Sequence, residues 1–200
     1  MIHAQSAGAF LKDVGILEGM EGGDLTISGN YDDTSAHSTL TALAAINEYT
    51  VKDAPVLAKM LSLASFTGIF DTMRGKGIAF TKLRAPFTLS NDVITFKDAK
   101  THGDAIGMTM EGTITFPKRS LDLKGTLVPS YSLNNVLGNV PLVGKMLTGG
   151  EGQGVFAARY SITGFDSAPN VSVNPLSILT PGFLRGVFDI FDKPVADPEQ

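Results

Sequence analysis

The feature that most constrains this fold is a strict alternation of apolar and polar residues over positions 106–116. Apolar side chains, interrupted once by Gly112, occupy every second position, and glycine, threonine or glutamate occupies the positions between them. Because successive side chains of a β-strand point to opposite faces of a sheet, this period of two predicts a strand with one apolar and one polar face. The apolar side chains of this strand are Ile106, Met108, Met110, Ile114 and Phe116.

Two later segments repeat the alternation. The first follows a turn at residues 117–120, so hairpin pairing predicts that it lies beside the first strand and shares its apolar face. The second comes after a glycine-rich segment at 149–154. The apolar positions are Leu121, Leu123 and Leu127 in the first of these segments, and Phe156, Tyr160 and Ile162 in the second.

A further hairpin is predicted upstream, where the strands 78–89 and 93–101 are separated by a Ser-Asn-Asp turn. In the first of these strands the apolar positions change phase between Phe80 and Leu83. Because a shift of one residue exchanges the two faces of a strand, this change predicts a β-bulge near Lys82.

One substantial helix is predicted at about residues 53–70. Asp53 is a favoured N-cap residue, and Pro55 suits the first turn of a helix. Apolar residues then recur at helical spacing and include Leu57, Met60 and Leu61. Such a stripe either closes one end of the sheet or covers an apolar groove. Near the C-terminus, Thr-Pro-Gly precedes a shorter amphipathic pattern containing Phe183, Leu184 and Phe188.

The composition argues against several classes of function. The formal net charge of −4 argues against nucleic-acid binding, which requires clustered Lys and Arg to neutralise phosphates. There is no Cys, and the three His residues have no metal-ligand spacing, so we expect no metal site and no cofactor. The sequence Gly-Gln-Gly before Val155 precedes a strand rather than a helix, which argues against a dinucleotide site. We therefore expect a protein that is not an enzyme.

A series of proline- and glycine-containing segments in a fixed order characterises the second half of the chain. Pro129 ends a strand, Pro141 opens an apolar helical patch, and Asn-Pro-Leu and Thr-Pro-Gly corners follow the glycine-rich segment. Together with Asp-Ala-Pro-Val-Leu-Ala at 53–58, this order closely resembles the C-terminal region of the AsmA-like proteins, large envelope proteins of Gram-negative bacteria. The resemblance implies a single domain over 1–192, cut from a longer chain whose upstream part is absent here. The Pro-rich, acidic sequence over 193–200 predicts a flexible tail.

The resemblance also implies a function. AsmA-like proteins are similar to bridge-type lipid carriers, in which a long curved β-sheet holds acyl chains on its concave face. We expect a mainly β fold: a curved antiparallel meander that forms an open groove, capped by the helix at 53–70 and by short C-terminal helices. The expected lipid track is Ile106, Met108, Met110, Ile114, Phe116, Leu121, Leu123, Leu127, Phe156, Tyr160 and Ile162. The expected cap is Leu57, Met60, Leu61, Phe183, Leu184 and Phe188.

Three functions fit these patterns. The first is a periplasmic segment, anchored to the inner membrane through a part not in this chain, that shields phospholipid acyl chains for transport to the outer membrane and for outer-membrane homeostasis. The second is a scaffold that assists outer-membrane protein assembly, with envelope proteins as partners and no lipid. The third is a closed barrel for a small ligand, which the Pro/Gly-rich corners near Pro141 and Pro181 argue against.

Overall fold

A computed structural model describes residues 1–34, 38–66, 69, 71, 75–129 and 157–176. Within these residues nine strands form one antiparallel sheet, in which every strand lies beside its neighbours in the sequence. The first and last strands do not pair with each other, so the sheet is open and the predicted mainly β meander is confirmed. The strands are β1 (Ile2–Ala4), β2 (Met20–Asp32), β3 (Thr39–Val51), β4 (Ile78–Ser90), β5 (Val93–His102), β6 (Ile106–Thr115), β7 (Ser120–Pro129), β8 (Ala157–Phe165) and β9 (Ala168–Leu176), and the helices are α1 (Ala7–Asp13) and α2 (Pro55–Leu63).

Both predicted hairpins are present in the sheet. Asn91 and Asp92 join β4 to β5, with φ angles of 50° and 61°. Two consecutive residues with positive φ are typical of the tight turn whose twist matches that of the flanking strands, and Asn and Asp tolerate this conformation. In the β6–β7 hairpin, Met108 pairs with Leu127 and Ile114 with Leu121, so the apolar residues of the two strands share one face as predicted.

The predicted bulge near Lys82 is wrong in position. Lys82 pairs in register with Asn47 of β3 and with His102 of β5. The register of the β4–β5 pairing shifts further along, between Arg84 and Phe87, and the extra residue lies in β5, where Lys97 and Asp98 together face a single residue of β6. Two residues opposite one is the arrangement of a β-bulge, which bends the strand that carries it.

The change of apolar phase in β4 has a different cause. Beside it, Glu48 of β3 has a φ of 51°, and the glycines at positions 22 and 23 of β2 have φ angles of 69° and 85°. This kink leaves the pairing register unchanged on either side. Phe80 and Leu83, which lie on either side of the phase change, consequently pack in the same apolar cluster.

Helix α2 confirms the predicted main helix but is shorter than residues 53–70. Asp53 has a φ of 47° and is not the N-cap; that position belongs to Ala54, which makes no side-chain cap, and Pro55 opens the helix. At the other end, the amide of Phe66 donates to the carbonyl of Leu61 at 2.9 Å, and Ser65 has a φ of 61°. A left-handed residue with this hydrogen bond is a Schellman motif, which ends a helix.

Contacts between distant elements show how strongly the sheet curves. Helix α2 follows β3 in the chain and packs against β9, across the width of the sheet. On another part of the rim, Arg119 in the β6–β7 turn donates to the carbonyl of Gly15, which follows α1, and forms an ion pair with Asp166 in the β8–β9 turn. Since the sheet is open, these contacts require it to curl around its apolar face.

The two helices pack with the inward side chains of the sheet in one core. Ala7 of α1, Leu61 of α2 and Ile106 of β6 all have 0% exposure and belong to the same cluster. The apolar helical patch predicted after Pro141, the predicted short C-terminal helix containing Leu184 and the predicted tail at 193–200 lie outside the described residues.

The kink in β2 leads to the first prediction. A Cβ at Gly23 would lie 2.8 Å from Cγ2 of Ile46 and 3.1 Å from Cβ of Tyr49, in a backbone conformation with a φ of 85°. Gly23→Ala should therefore lower the free energy of unfolding by about 2 kcal/mol, as measured by urea denaturation. In the matched variant Gly75→Ala the new methyl group meets nothing within 4 Å, and the change should be below about 0.5 kcal/mol. Equal stabilities of the two variants would contradict the packing described at Gly23.

Candidate functional site

The register of the sheet brings most of the predicted lipid track onto one face. Across β6, β7 and β8, Gly112 pairs with Leu123 and Leu123 with Ile162. In the adjacent row Met110 pairs with Gly125 and Gly125 with Tyr160. The predicted track residues on this apolar face are Ile106, Met108, Met110, Ile114, Leu121, Leu123, Leu127, Tyr160 and Ile162.

Two predicted track residues are not placed on this face. Phe116 lies after the end of β6, in the turn that leads to β7, and its amide donates to the carbonyl of Asp92 at 2.8 Å. The alternation continued one position beyond the strand because sequence periodicity does not mark where a hairpin turn begins. Phe156 lies outside the described residues.

One end of the apolar face, which we call the helix end, is sealed. Ile106 and Leu127 have 0% exposure there and pack in the same cluster as α2. The predicted cap residues of α2 belong to that cluster, with exposures of 7% for Leu57, 3% for Met60 and 0% for Leu61. These residues therefore pack inside the core at this end. The other predicted cap residues, Phe183, Leu184 and Phe188, lie outside the described residues.

The opposite end of the same face is covered only in part. Apolar side chains from four strands are half-buried there and form a continuous surface, which we call the half-buried strip. Cross-strand pairing links Leu89 to Ile94, Ile94 to Ile114 and Ile114 to Leu121. The half-buried strip consists of Phe87, Leu89, Ile94, Phe96, Met110, Ile114 and Leu121.

The lipid track predicted from the sequence does not include the part of this strip that β4 and β5 contribute. Phe87 pairs with Phe96, and their ring centroids are 6.3 Å apart. The sequence contained a usable signal, because alternating apolar residues end β4 at Phe87 and Leu89. The sequence did not predict the bulge in β5. The register shift at this bulge decides which residues of β5 lie on the same face as the apolar residues of β6.

Two tyrosines place polar atoms within this apolar face. The hydroxyl of Tyr160 lies over Gly125 and donates to the backbone carbonyl of Thr109 at 2.7 Å. The hydroxyl of Tyr49 lies 2.5 Å from Oγ1 of Thr101. Burial raises the pKa of both tyrosines, so both remain protonated near neutral pH. Each therefore acts as a hydrogen-bonding group that anchors one strand to another.

His102 is the last residue of β5 and is half-buried. Burial lowers its pKa below the ordinary value of 6.5, and the cation of Lys82 lowers it further. A neutral imidazole is therefore favoured in the folded state at neutral pH.

Neither a metal centre nor a membrane-spanning helix is found in the described part of the chain. No group of three or more His, Cys, Asp or Glu side chains is arranged there to hold an ion. No helix among the described residues is long and apolar enough to cross a membrane.

Comparisons of the chain with protein-family models, with curated proteins and with solved structures found no match. The resemblance to the AsmA-like proteins therefore stays a prediction.

The environment of His102 leads to a prediction about pH. Because its pKa is lower in the folded than in the unfolded protein, the unfolded state binds more protons as the pH falls through 6.5. This contribution destabilises the protein on acidification. When the pH is lowered from about 7.5 to about 5.5, the free energy of unfolding should fall less in His102→Gln than in the wild type. Urea denaturation of both proteins at both pH values measures this difference. An equal fall in the free energy of unfolding in the two proteins would show that the imidazole of His102 has the same pKa in the folded and unfolded states.

Proposed function

We propose that this protein holds the acyl chains of a phospholipid against the half-buried strip and shields them from water. No covalent chemistry is needed, so the protein is not an enzyme in this proposal. Each CH₂ group removed from water contributes about 0.8 kcal/mol, so ten methylenes on the strip contribute about 8 kcal/mol. Such a surface lowers the free-energy cost of moving a lipid through an aqueous compartment.

One observation carries this proposal: the exposure of a single apolar face changes along the strands. Ile106 and Leu127 have 0% exposure at the helix end, whereas Met110, Ile114 and Leu121 further along the same two strands are half-buried. A face that contacts only solvent would carry polar side chains, and a complete hydrophobic core would be buried along its whole length. A partly covered apolar face of this extent is typical of a ligand or partner site.

The shape of the sheet supports the same proposal. Packing of α2 against β9 and the link from Gly15 through Arg119 to Asp166 hold the open sheet in a curve around the apolar face. A curved face contacts an acyl chain along more of its circumference than a flat one does. Taken with the resemblance in the sequence, this supports a role in the periplasm in carrying phospholipid between the inner and outer membranes.

A scaffold function is the second candidate, and the sealed helix end favours it. There α2 fills the face as in an ordinary domain core. In this alternative, an envelope protein involved in outer-membrane assembly covers the half-buried strip, and no lipid is bound. The two functions differ in what copurifies with the chain.

The test is native mass spectrometry of the protein purified from a Gram-negative host. We expect bound phospholipid in the wild type, and its loss in Met110→Lys and Ile114→Lys, because a lysine on the strip places a charge against the acyl chain. Thr113→Lys is the matched control, since Thr113 lies on the opposite face of the same strand between these two positions. It should retain the lipid.

Thermal melts distinguish loss of lipid from loss of fold. Met110→Lys and Ile114→Lys should melt cooperatively within about 10 °C of the wild type, because a half-buried lysine can direct its ammonium group to water. Ile106→Lys should not fold, since position 106 has 0% exposure and the charge would be unpaired. A wild-type protein without lipid, or strip variants that keep it, would exclude the lipid function, and copurification of an envelope protein in its place would favour the scaffold.

A further inference from the structure

The outer face of the sheet, opposite the apolar face, carries a trough of about 700 Å³ that spans β5 to β9. The register explains its construction, because two adjacent rows of polar residues run straight across the strands. The first row is Lys100, Thr109, Thr126, Arg159 and Asn174, in which each residue pairs with the next. The second row is Glu111, Lys124, Ser161 and Ser172, joined in the same way.

The charge of this trough is opposite to that of the whole protein. Four cationic and two anionic side chains line it, giving a local formal charge of +2 in a chain whose net charge is −4. Lys100 pairs with Asp98 at 2.9 Å and Lys124 with Glu111 at 3.2 Å, which neutralises both carboxylates. The excess positive charge therefore belongs to the remaining two cations, Lys97 and Arg159.

Neither of these two cations is held in an ion pair within the described part of the chain. Both side chains are exposed, Lys97 at the β5 bulge and Arg159 in the first row of β8. The bulge adds a residue to β5, so Lys97 and Asp98 both line the trough. The two cations thus approach the trough from opposite sides, with the floor of β6 and β7 between them.

The floor between the cations is lined by hydroxyl groups. Thr126 is 5% exposed, and its amide donates to Oγ1 of Thr109 at 3.0 Å. Because Oγ1 of Thr109 accepts this hydrogen bond, its O–H remains able to donate to a ligand. Ser161, Ser172 and Asn174 line the trough on the side of β9 and add further polar groups. Small side chains between long cationic ones leave the space in which an anion would lie.

We propose that this trough binds a phosphate group. The planar guanidinium of Arg159 donates two parallel hydrogen bonds to phosphate oxygens, Lys97 supplies a second positive charge, and the hydroxyls of the floor donate to the remaining oxygens. A single phosphate monoester or pyrophosphate matches the two unneutralised cations better than a long polyanion does. The phosphate could belong to a phospholipid headgroup at a membrane surface or to a free phosphorylated compound. The cations and hydroxyls of this site lie on the opposite face of the sheet from the half-buried strip, and Met110 is the strip residue that also borders the trough. The proposal does not depend on the function of the strip.

The test uses the full chain with inorganic pyrophosphate and with vesicles. Calorimetric titration with pyrophosphate should give saturable binding that weakens with added salt, because the attraction is electrostatic. The double variant Lys97→Gln/Arg159→Gln should bind at least about tenfold more weakly, since it removes both unneutralised cations. Lys12→Gln/Lys59→Gln is the matched control with the same change of charge, at α1 and α2. Its affinity should equal that of the wild type.

Vesicles of phosphatidylcholine with and without phosphatidic acid identify the source of the phosphate. Cosedimentation that requires both phosphatidic acid and the two cations supports a headgroup site, whereas pyrophosphate binding without vesicle binding supports a free ligand. Circular dichroism checks that each variant folds, and Arg159→Lys provides a second variant that keeps the charge but loses the paired donors. Failure to bind either probe, or equal weakening in the control double variant, would overturn the proposal.

Discussion

The structure depends on covering the apolar face of an open sheet with very few helical residues. Within the described residues, helices α1 and α2 and the helical residue Ile69 pack on this face. A sheet with one apolar face is stable in water only where another element, or its own curvature, removes that face from solvent. The protein combines both means: α2, which follows β3 in the chain, seals the helix end by packing against β9, and curvature partly covers the rest. The half-buried strip is what remains beyond the reach of α2.

Local backbone irregularities make that curvature feasible. A kink crosses β2 and β3 where Gly22, Gly23 and Glu48 have positive φ, and the bulge at Lys97 and Asp98 bends β5. Bulges and left-handed residues increase the local twist of a strand, which allows a long sheet to curl without closing. Both features also affect side-chain placement. The kink keeps Ile46 and Tyr49 around the same glycine, and the bulge places two charged residues at the margin of the outer trough.

The two faces of the sheet have opposite chemistry, and the same strands supply both. On β6, Ile114 contributes to the half-buried strip, Thr109 and Glu111 line the outer trough, and Met110 belongs to the strip and also borders the trough. Because successive side chains of a strand point to opposite faces of the sheet, the residues of one face can differ in chemistry from those of the other. A ligand with an apolar chain and a phosphate-bearing ligand can therefore be considered as separate occupants of separate surfaces. Substitutions at positions that line one surface but not the other serve as controls.

The sequence by itself determined the mainly β meander, the β4–β5 and β6–β7 hairpins, and the pairing of the apolar residues of β6 with those of β7. These features follow from local patterns, a period of two and turn residues that favour positive φ, which act over a few positions. It did not determine the end of α2, where Ser65 adopts a left-handed conformation that serine rarely takes, nor the position of the bulge. Only the tertiary structure decided how far the apolar face is sealed, because the packing of α2 on β9 joins residues more than 100 positions apart. Burial at Ile106 and partial exposure at Ile114 arise from that long-range contact, and the alternating pattern is the same at both positions.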